Sequence, residues 1–324
     1  KFMKKKETTR ELHLWRKKMW EASVENFKQY LDKNTGLIKK KFLEYRNCPT
    51  CGSKKNRKLL NKNGGTYVAC ENKKCEMIFI NPVFKDKELE THYRNNHSIR
   101  SEITLLEKNF LNDIFGKGLN LATRKIKKKG NILEVGCSSG FFLDIAKKKG
   151  WNTYGLELNS IEAKISRDKG HIIQEKKIEN AIFDTKFDII FFWDVFEHIK
   201  DGIKCLEICK KLLNKNRIVF LQCPSRDSLA LKILQKNCNM LDGLEHVNIY
   251  GYKSLKNLCD RSGFELINYE TVISEIGVVN NYLDFADPYL GRTKNTNNLF
   301  NLINEKLMHK AKLGYKFQAC LKVR

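Results

Sequence analysis

The sequence predicts an α/β chain: a mostly parallel sheet covered by helices, preceded by a helix and a small cysteine-rich unit. Three observations support this prediction. Strand-like and helix-like patterns alternate after Gly130, a glycine-containing turn follows the first of these strands, and two close pairs of cysteines lie upstream. Such alternation is typical of doubly wound folds, whose ligands bind beyond the carboxyl ends of the strands.

Seven stretches after Gly130 have the length and the apolar content of strands. They are residues 131–135, 152–157, 171–174, 187–193, 217–223, 264–271 and 315–323. Helices are predicted to start near residues 140, 160, 201 and 252. The chain is therefore divided into a helical segment (1–44), a cysteine-rich segment (45–84), a helical linker (85–129) and an α/β domain (130–324) with an insertion at about 273–313.

The part before Gly130 contains shorter elements. Apolar residues at spacings of three to five predict an amphipathic helix over 9–33. The turn Asn63-Gly64-Gly65 between two short apolar runs predicts a hairpin. Helical patterns return at about 86–95 and 100–128.

Composition limits the class of protein. The 324 residues are 41% hydrophobic, and no apolar run reaches the roughly 18 residues that a membrane span needs. Eleven cysteines without an export signal favour reduced thiols or metal ligation over disulfides. We therefore expect a soluble, cytoplasmic protein.

The net charge of +24 is unevenly distributed. Residues 1–130 contain 32 basic and 14 acidic residues, whereas the rest contains 29 and 23. This excess indicates an anionic partner for the N-terminal third, either a phosphate-bearing substrate, a membrane surface or RNA. A lysine-rich coating of solvated helices is the alternative.

The cysteines of the motif CPTC…CENKKC form two close pairs about twenty residues apart. Four thiolates on two such knuckles can surround one tetrahedral zinc ion. The candidate ligands are Cys48, Cys51, Cys70 and Cys75. With four protein ligands no position stays open for water, so the predicted zinc site is structural and not catalytic.

The stretch EVGCSSG, residues 134–140, lacks the GxGxxG spacing of nicotinamide-binding turns. An acid directly before the turn, Glu134, is better explained by a ligand with an ammonium group, such as S-adenosylmethionine. Glu157 ends the second strand about 20 residues later, where a carboxylate can accept both hydrogen bonds of a ribose diol. The fourth strand runs into WDVFEHI.

EVGCSSGFFLDIAKKKGW, YGLELN, FDIIFFWDVFEHIKD and LEHVNIYGYKSLKNLCDRSGFELI resemble the successive motifs of class I S-adenosylmethionine-dependent methyltransferases. The resemblance is closest to a branch with an N-terminal zinc ribbon that is associated with surface-polysaccharide and small-molecule modification. It covers the chain from Tyr45 onwards. It implies a Rossmann-like seven-stranded sheet whose last strand is antiparallel.

The resemblance also implies roles for individual residues. Gly136 and Gly140, with Cys137 and Ser138 between them, would wrap the methionine end of the cofactor, and Glu134 would organise that turn. Glu157 would hold the ribose, and Asp194 would lie beside the sulfonium and the substrate. Ser138 stands where the family usually has a glycine, which reduces the backbone freedom at that position.

Candidate general bases are His198 and His246, which the resemblance places near the cofactor edge of the sheet. His198 is predicted to open the helix after the fourth strand, which favours a structural role. His246 lies in LEHVNIY and is the candidate for substrate contact, with an anchor for the helix near Tyr252 as its alternative role. Cys223 is read as core packing rather than as a nucleophile.

The leading hypothesis is a methyltransferase that acts on an oxygen or carbon of a small molecule, namely a sugar or a nucleotide-linked sugar. No NPPY-like turn follows the fourth strand, which disfavours nucleobase amines as acceptors. One alternative is an RNA methyltransferase whose basic zinc-ribbon region holds the phosphate backbone. Another is a non-catalytic zinc-ribbon adaptor that has lost its cofactor.

Overall fold

The structure is a computed structural model, and it describes residues 21, 25, 27–95, 108–273 and 305–324. Most of the predicted helix at 9–33 and most of the predicted insertion at 273–313 lie outside these residues. Among the described residues, no helix is long and apolar enough to cross a membrane.

The N-terminal helix ends earlier than the sequence predicts. Phe27 is still helical, but Leu31 already pairs with Ile38 in an isolated bridge. The reason is a turn between them: the Asp32 carboxylate accepts the backbone N–H groups of residues 34 and 35, and Gly36 follows with φ of 66°. Such a side-chain-to-backbone turn competes with helix continuation.

The cysteine-rich segment forms a small antiparallel sheet. Its strands are β2 (Asn56–Lys62), β3 (Gly65–Cys70), β4 (Ile78–Ile80) and β11 (Asn248–Ile249), in the order β11-β4-β3-β2. The predicted hairpin is confirmed, with Asn63 (φ 48°) and Gly64 (φ 88°) between β2 and β3. Two central residues with positive φ form the turn that matches the twist of paired strands.

Short elements connect this sheet to the α/β part of the chain. Strand β1 (Leu43–Glu44) pairs with β5 (Val83–Phe84). Helix α1 (Asp86–Asn95) has the bounds predicted, and α2 (Lys108–Thr123) lies within the predicted 100–128.

The main sheet has seven strands, as predicted. They are β6 (Asn131–Val135), β7 (Asn152–Leu156), β8 (Ile172–Gln174), β9 (Phe187–Trp193), β10 (Leu213–Pro224), β12 (Phe264–Val272) and β13 (Lys316–Val323). Their order is β12-β13-β10-β9-β6-β7-β8. The run from β10 to β8 is parallel and the last strand of the chain is antiparallel, which confirms the predicted fold class.

Helices separate the strands of the main sheet and are capped by side chains of the expected types. They are α3 (Phe141–Lys148), α4 (Ser160–Asp168), α5 (Gly202–Leu212), α6 (Leu229–Leu234), α7 (Tyr252–Ser262) and α8 (Glu305–Lys310). Asn159 caps α4, Asp201 caps α5 and Ser228 caps α6, each by accepting a backbone N–H of the first turn.

The chain divides into two compact units. The first unit contains the described parts of 1–84, 223–257 and 269–318, and the second contains those of 85–222, 258–268 and 319–324. The sequence analysis divides the chain differently, into four successive segments (1–44, 45–84, 85–129 and 130–324). These segments are modules along the chain rather than compact units, and this division stays a prediction.

Each unit has its own apolar core. The core of the first includes Tyr67, Ile80, Leu234, Met240, Val247 and Ile249. The core of the second includes Leu119, Ile132, Phe142, Phe191, Trp193 and Phe220. In the second unit these side chains pack the helices against β6 and β9, so that the carboxyl ends of those strands are held in fixed positions.

Candidate active site and zinc ribbon

The turn after β6 requires glycine at two positions. Gly136 and Gly140 have φ of 73° and 77°, in the left-handed region. An added Cβ at Gly136 would lie 2.6 Å from Val195 Cγ2, and one at Gly140 would overlap Ser166 Oγ. Because any side chain would be both strained and crowded there, the glycines permit the tight turn beyond β6.

Cys137 contributes to this turn through its backbone. Its N–H and that of Gly136 both donate to the carbonyl oxygen of Leu156, at 3.0 and 2.8 Å. Its side chain is buried in the core of the second unit, and burial raises the pKa of its thiol well above the usual value. The thiol therefore has a packing role.

Glu134 is a buried acid on β6, between the neighbouring strands β7 and β9. Among the described residues, its Oε2 atom has no hydrogen-bond partner. Burial first, and then the nearby charges of Glu157 and Asp144, raise the pKa of this carboxyl well above its usual range. A ligand that brings N–H donors or positive charge would compensate for this buried group.

Glu157 organises the same turn from the end of β7. Its Oε2 accepts the backbone N–H of Ser138 at 2.8 Å, and its Oε1 accepts those of Leu158 and Asn159 at 2.8 and 2.9 Å. A carboxylate has about four lone-pair sites. These three bonds leave capacity on Oε2 for a further donor such as a ribose hydroxyl.

Ser138 occupies the position of the family glycine with a left-handed backbone, φ 47°. Its hydroxyl donates to Glu162 Oε2 at 2.9 Å, an interaction that the sequence prediction missed. Glu162 stands three residues after the cap Asn159, the spacing of a capping box, and this spacing was an available signal. Here the carboxylate bonds to the serine of the turn and thereby stabilises its backbone conformation.

Asp194 follows β9 and is held by the neighbouring strand β10. Its N–H donates to the Gln222 carbonyl at 2.9 Å, and its Oδ2 accepts from Gln222 Nε2 at 3.1 Å. Asp194 also has positive φ, 53°. Gln222, which no sequence motif indicated, therefore sets the orientation of this carboxylate.

A second group of polar residues makes hydrogen bonds with the turn and with the neighbouring strand β7. His171 Nε2 lies 3.0 Å from Asp144 Oδ1, and His171 Nδ1 lies 2.8 Å from Thr153 Oγ1. Lys169 Nζ donates to the Ser139 carbonyl at 2.7 Å. Burial lowers the pKa of His171, so the ring serves this network as a neutral hydrogen-bonding group.

His198 does not open an α-helix, in contrast to the prediction. It ends a short 3₁₀ helix (Phe196–His198), and α5 begins only at Gly202 because Asp201 caps it. The Nδ1 atom of His198 lies 3.1 Å from the hydroxyl of Tyr93, on α1. Its role as a base stays a prediction.

His246 belongs to a loop of the first unit before β11. Its Nδ1 lies 2.9 Å from the Met240 carbonyl oxygen, and its N–H donates to the Asp242 carboxylate. The alternative role of His246 was to anchor the helix near Tyr252. In the structure, it is the Asp227 carboxylate that accepts the first N–H group of α7, that of Tyr252, at 2.8 Å. The catalytic role of His246 also stays a prediction.

The four predicted zinc ligands lie together. Their Sγ atoms are all within 4.8 Å of one another, with Cys48 and Cys75 at 3.7 Å and Cys51 and Cys70 at 3.5 Å. Zn–S bonds of 2.3 Å in a tetrahedron place sulfurs about 3.8 Å apart. The four thiols therefore fit a structural zinc ion.

The backbone explains how the two knuckles form. Gly52, with φ of 76°, allows its N–H to donate back to the Cys48 carbonyl at 2.9 Å. In the second knuckle, the Cys75 N–H donates to the Asn72 carbonyl at 2.8 Å. All eleven cysteines are free thiols in the structure.

The chain matches a protein-family model described as a methyltransferase domain over residues 108–269, half of its length. The chain therefore belongs to this methyltransferase-domain family, which confirms the resemblance seen in the sequence. The residues at the carboxyl ends of β6, β7 and β9 fit S-adenosylmethionine, because a buried carboxylate with an unpartnered oxygen directly precedes a glycine turn there.

Relatives with assigned functions match only part of the chain. A ubiquinone biosynthesis O-methyltransferase of Histophilus somni is 24% identical over 107 residues, covering 29% of this chain and 45% of the relative. A tRNA U34 carboxymethyltransferase of Campylobacter jejuni is 29% identical over 147 residues, covering 41% and 49%. The chain thus spans about half the length of the curated relatives it matches.

A similar solved structure is that of a SAM-dependent methyltransferase from Archaeoglobus fulgidus. The two chains are 17% identical with a TM-score of 0.46, and the match covers 67% of this chain and 98% of the other.

Proposed function

We propose that the protein transfers the methyl group of S-adenosylmethionine to an oxygen or carbon atom of a small anionic molecule, namely a sugar or a nucleotide-linked sugar. We propose further that it works in the cytoplasm, in keeping with its eleven free thiols.

One observation carries the cofactor assignment. Three carboxyl groups, those of Glu134, Glu157 and Asp194, lie on or directly after the adjacent strands β6, β7 and β9. S-adenosylmethionine carries a positive sulfonium and a positive ammonium group. Carboxylates in a partly desolvated site attract such charges more strongly than in water.

The proposed individual roles are those that the family resemblance implies, and the contacts of these groups support them. Glu134 would accept from the ammonium end through its unpartnered Oε2, and Glu157 would accept from the ribose. Asp194, fixed by Gln222, would lie near the sulfonium. When bound, the cofactor supplies an electrophilic methyl group on positively charged sulfur, and the protein contributes chiefly by holding the acceptor in line with it.

The acceptor class has indirect support. The relatives include ubiquinone biosynthesis O-methyltransferases, which by name act on oxygen. Cys223 is fully buried, which agrees with a packing role and not with a nucleophilic one. The basic excess of residues 1–130 suits an anionic acceptor.

RNA is a second candidate substrate. Other relatives are tRNA U34 carboxymethyltransferases, and the same basic excess could bind a phosphate backbone. Binding of that kind weakens steeply as salt concentration rises, because it releases counterions.

Calorimetric titration with S-adenosylmethionine and S-adenosylhomocysteine tests the cofactor assignment. We expect micromolar binding by the parent and a loss of about tenfold or more in Glu157→Ala, since this change removes charge-assisted hydrogen bonds from both ligand and turn. Glu179→Ala is the control, because Glu179 is an exposed acid of the same unit.

Absence of cofactor binding by folded parent protein would refute the proposed activity. If Glu157→Ala bound as tightly as the parent, the ribose assignment would be wrong. Methylation of a transfer RNA pool, with no methylation of nucleotide sugars, would favour the second candidate.

A further inference from the structure

An open groove on the cysteine-rich segment is lined by polar and aromatic residues. Its volume is about 470 Å³, and its lining is Tyr45, Arg46, Asn47, Lys54, Asn56 and Asn81. The volume lies within the range of small-ligand sites. Two lining residues are cationic and none is acidic, so the groove favours an anionic ligand.

Tyr45 is the most exposed large hydrophobic side chain of the described residues, at 82%. A nearby aromatic cluster contains Phe27, Tyr30, Phe42 and Phe84. Among the described residues, Tyr45 makes no ring contact with that cluster or with any other aromatic side chain. Its ring therefore contributes little to packing and offers a flat face on which a base can stack.

Arg46 places a fixed positive charge in the groove wall. Its Nε donates to the Ile80 carbonyl at 3.2 Å, and its Nη2 donates to the Val247 carbonyl at 2.7 Å. The guanidinium also lies over the Phe79 ring, 5.4 Å from its centroid. These contacts fix the orientation of the guanidinium in the groove wall.

Lys54 supplies a second cation. It is exposed, and no ion pair or side-chain hydrogen bond of its ammonium group is found among the described residues. The cysteine-rich segment 45–84 as a whole contains eight basic residues and two acidic ones. The potential around the groove is therefore positive, which favours phosphate.

Three asparagines complete the lining. Asn81 Oδ1 accepts the Arg46 N–H at 3.0 Å, and Asn56 Nδ2 donates to the Lys54 carbonyl at 3.2 Å. These bonds orient two of the amides. Side-chain amides both donate and accept, so they can bind the hydroxyls of a ribose or the edge of a base.

We propose that this groove binds a nucleotide, with the base on Tyr45 and the phosphate near Lys54 and Arg46. The nucleotide belongs either to the diphosphate of a nucleotide sugar or to an RNA strand. This inference rests on the proposed function, which it deepens by assigning the part of the substrate that is recognised away from the methyl group.

The test measures binding of UDP, ADP, uridine and a short oligouridylate to the zinc-loaded full chain by calorimetry. We expect at least one diphosphate to bind and Tyr45→Ala to weaken it on the order of tenfold or more, as expected for the loss of base stacking. Lys54→Gln should weaken the diphosphates but not uridine, because only the former carry phosphate.

Two matched variants serve as controls. Tyr45→Phe keeps the ring and should bind within about twofold of the parent. Lys58→Gln removes an exposed cation of the same segment that does not line the groove, and it should leave diphosphate binding unchanged. Zinc content and thermal unfolding confirm that each variant is folded.

The outcomes are distinct. Diphosphate binding alone identifies the nucleotide-sugar source, and much tighter binding of the oligouridylate identifies RNA. The inference is overturned if neither the diphosphates nor the oligouridylate bind. It is also overturned if Tyr45→Ala binds like the parent, or if Lys54→Gln and Lys58→Gln weaken binding equally. Because S-adenosylmethionine is titrated separately, failure of the proposed function and failure of the groove are told apart.

Discussion

Glu134 is a buried ionisable group in the candidate active site. Its carboxyl has an ordinary pKa of 4.5, and burial raises the pKa well above that value in the folded chain. Above pH 4.5 the unfolded chain loses this proton while the folded chain keeps it. The contribution of Glu134 to the free energy of unfolding is therefore highest below pH 4.5 and falls as the pH rises towards the raised pKa.

Glu134→Gln removes this pH dependence. We expect the ligand-free variant to be more stable than the parent at pH 8, by about 1.4 kcal/mol for each unit by which the pKa is raised. At pH 4 the two should be equally stable. Denaturant unfolding at both pH values measures the difference, with the exposed Glu179→Gln as the control.

The same variant should bind S-adenosylmethionine less tightly, since an amide cannot balance an ammonium charge. A stability gain in Glu134→Gln that was as large at pH 4 as at pH 8 would contradict the pKa argument. It would indicate an interaction that does not depend on ionisation, such as a hydrogen bond of the new amide, because the two side chains have nearly the same volume.

The sequence indicated candidate residues but not their contacts. Glu134, Gly136 and Glu157 were identified because acids and a glycine turn stand at the ends of apolar strands, and Asp194 was identified from the family resemblance; their roles towards the cofactor stay predictions. Gln222 was missed because its function arises from strand pairing, which a single strand pattern does not reveal.

At the scale of the elements, the cysteine-rich segment combines short strands with four clustered thiols. Strands β4 and β11 are only three and two residues long, and such short strands contribute few backbone hydrogen bonds. Structural zinc sites supply folding free energy directly in such segments. Metal binding is therefore expected to stabilise the hairpin of β2 and β3.

We expect about one zinc ion per chain by mass spectrometry, and near-complete loss of zinc in Cys51→Ser. Hydrogen exchange of the β2–β3 amides should become faster in that variant, because the knuckle no longer fixes the end of β3. Cys238→Ala is the control, since Cys238 is a buried cysteine of the same unit outside the cluster. A parent protein without zinc whose hairpin is still protected would contradict this prediction.

The strands of the main sheet were predictable, whereas several other elements were not. The seven main strands followed from their length and apolar content. Strand β11 was missed because two residues carry no periodicity, and the early end of the N-terminal helix was missed because the Asp32 turn depends on one side chain. A single polar side chain of this kind can end a helix that the periodicity of the surrounding residues predicts to continue.

At the scale of the whole molecule, a histidine base would give the proposed methyl transfer a characteristic pH dependence. A histidine base must be neutral to accept a proton, so kcat/KM rises with pH as the base loses its own proton. We expect His246→Asn to lower kcat by about 10²- to 10⁴-fold and to abolish this rise. His198→Asn should instead lower thermal stability, because it removes the contact with Tyr93, and it should keep the rise of kcat/KM with pH.

Incorporation of labelled methyl into the acceptor measures the rates, with His309→Asn as the control. A rise with pH that persists in both variants would show that neither histidine is the base and that alignment of the acceptor accounts for the catalysis.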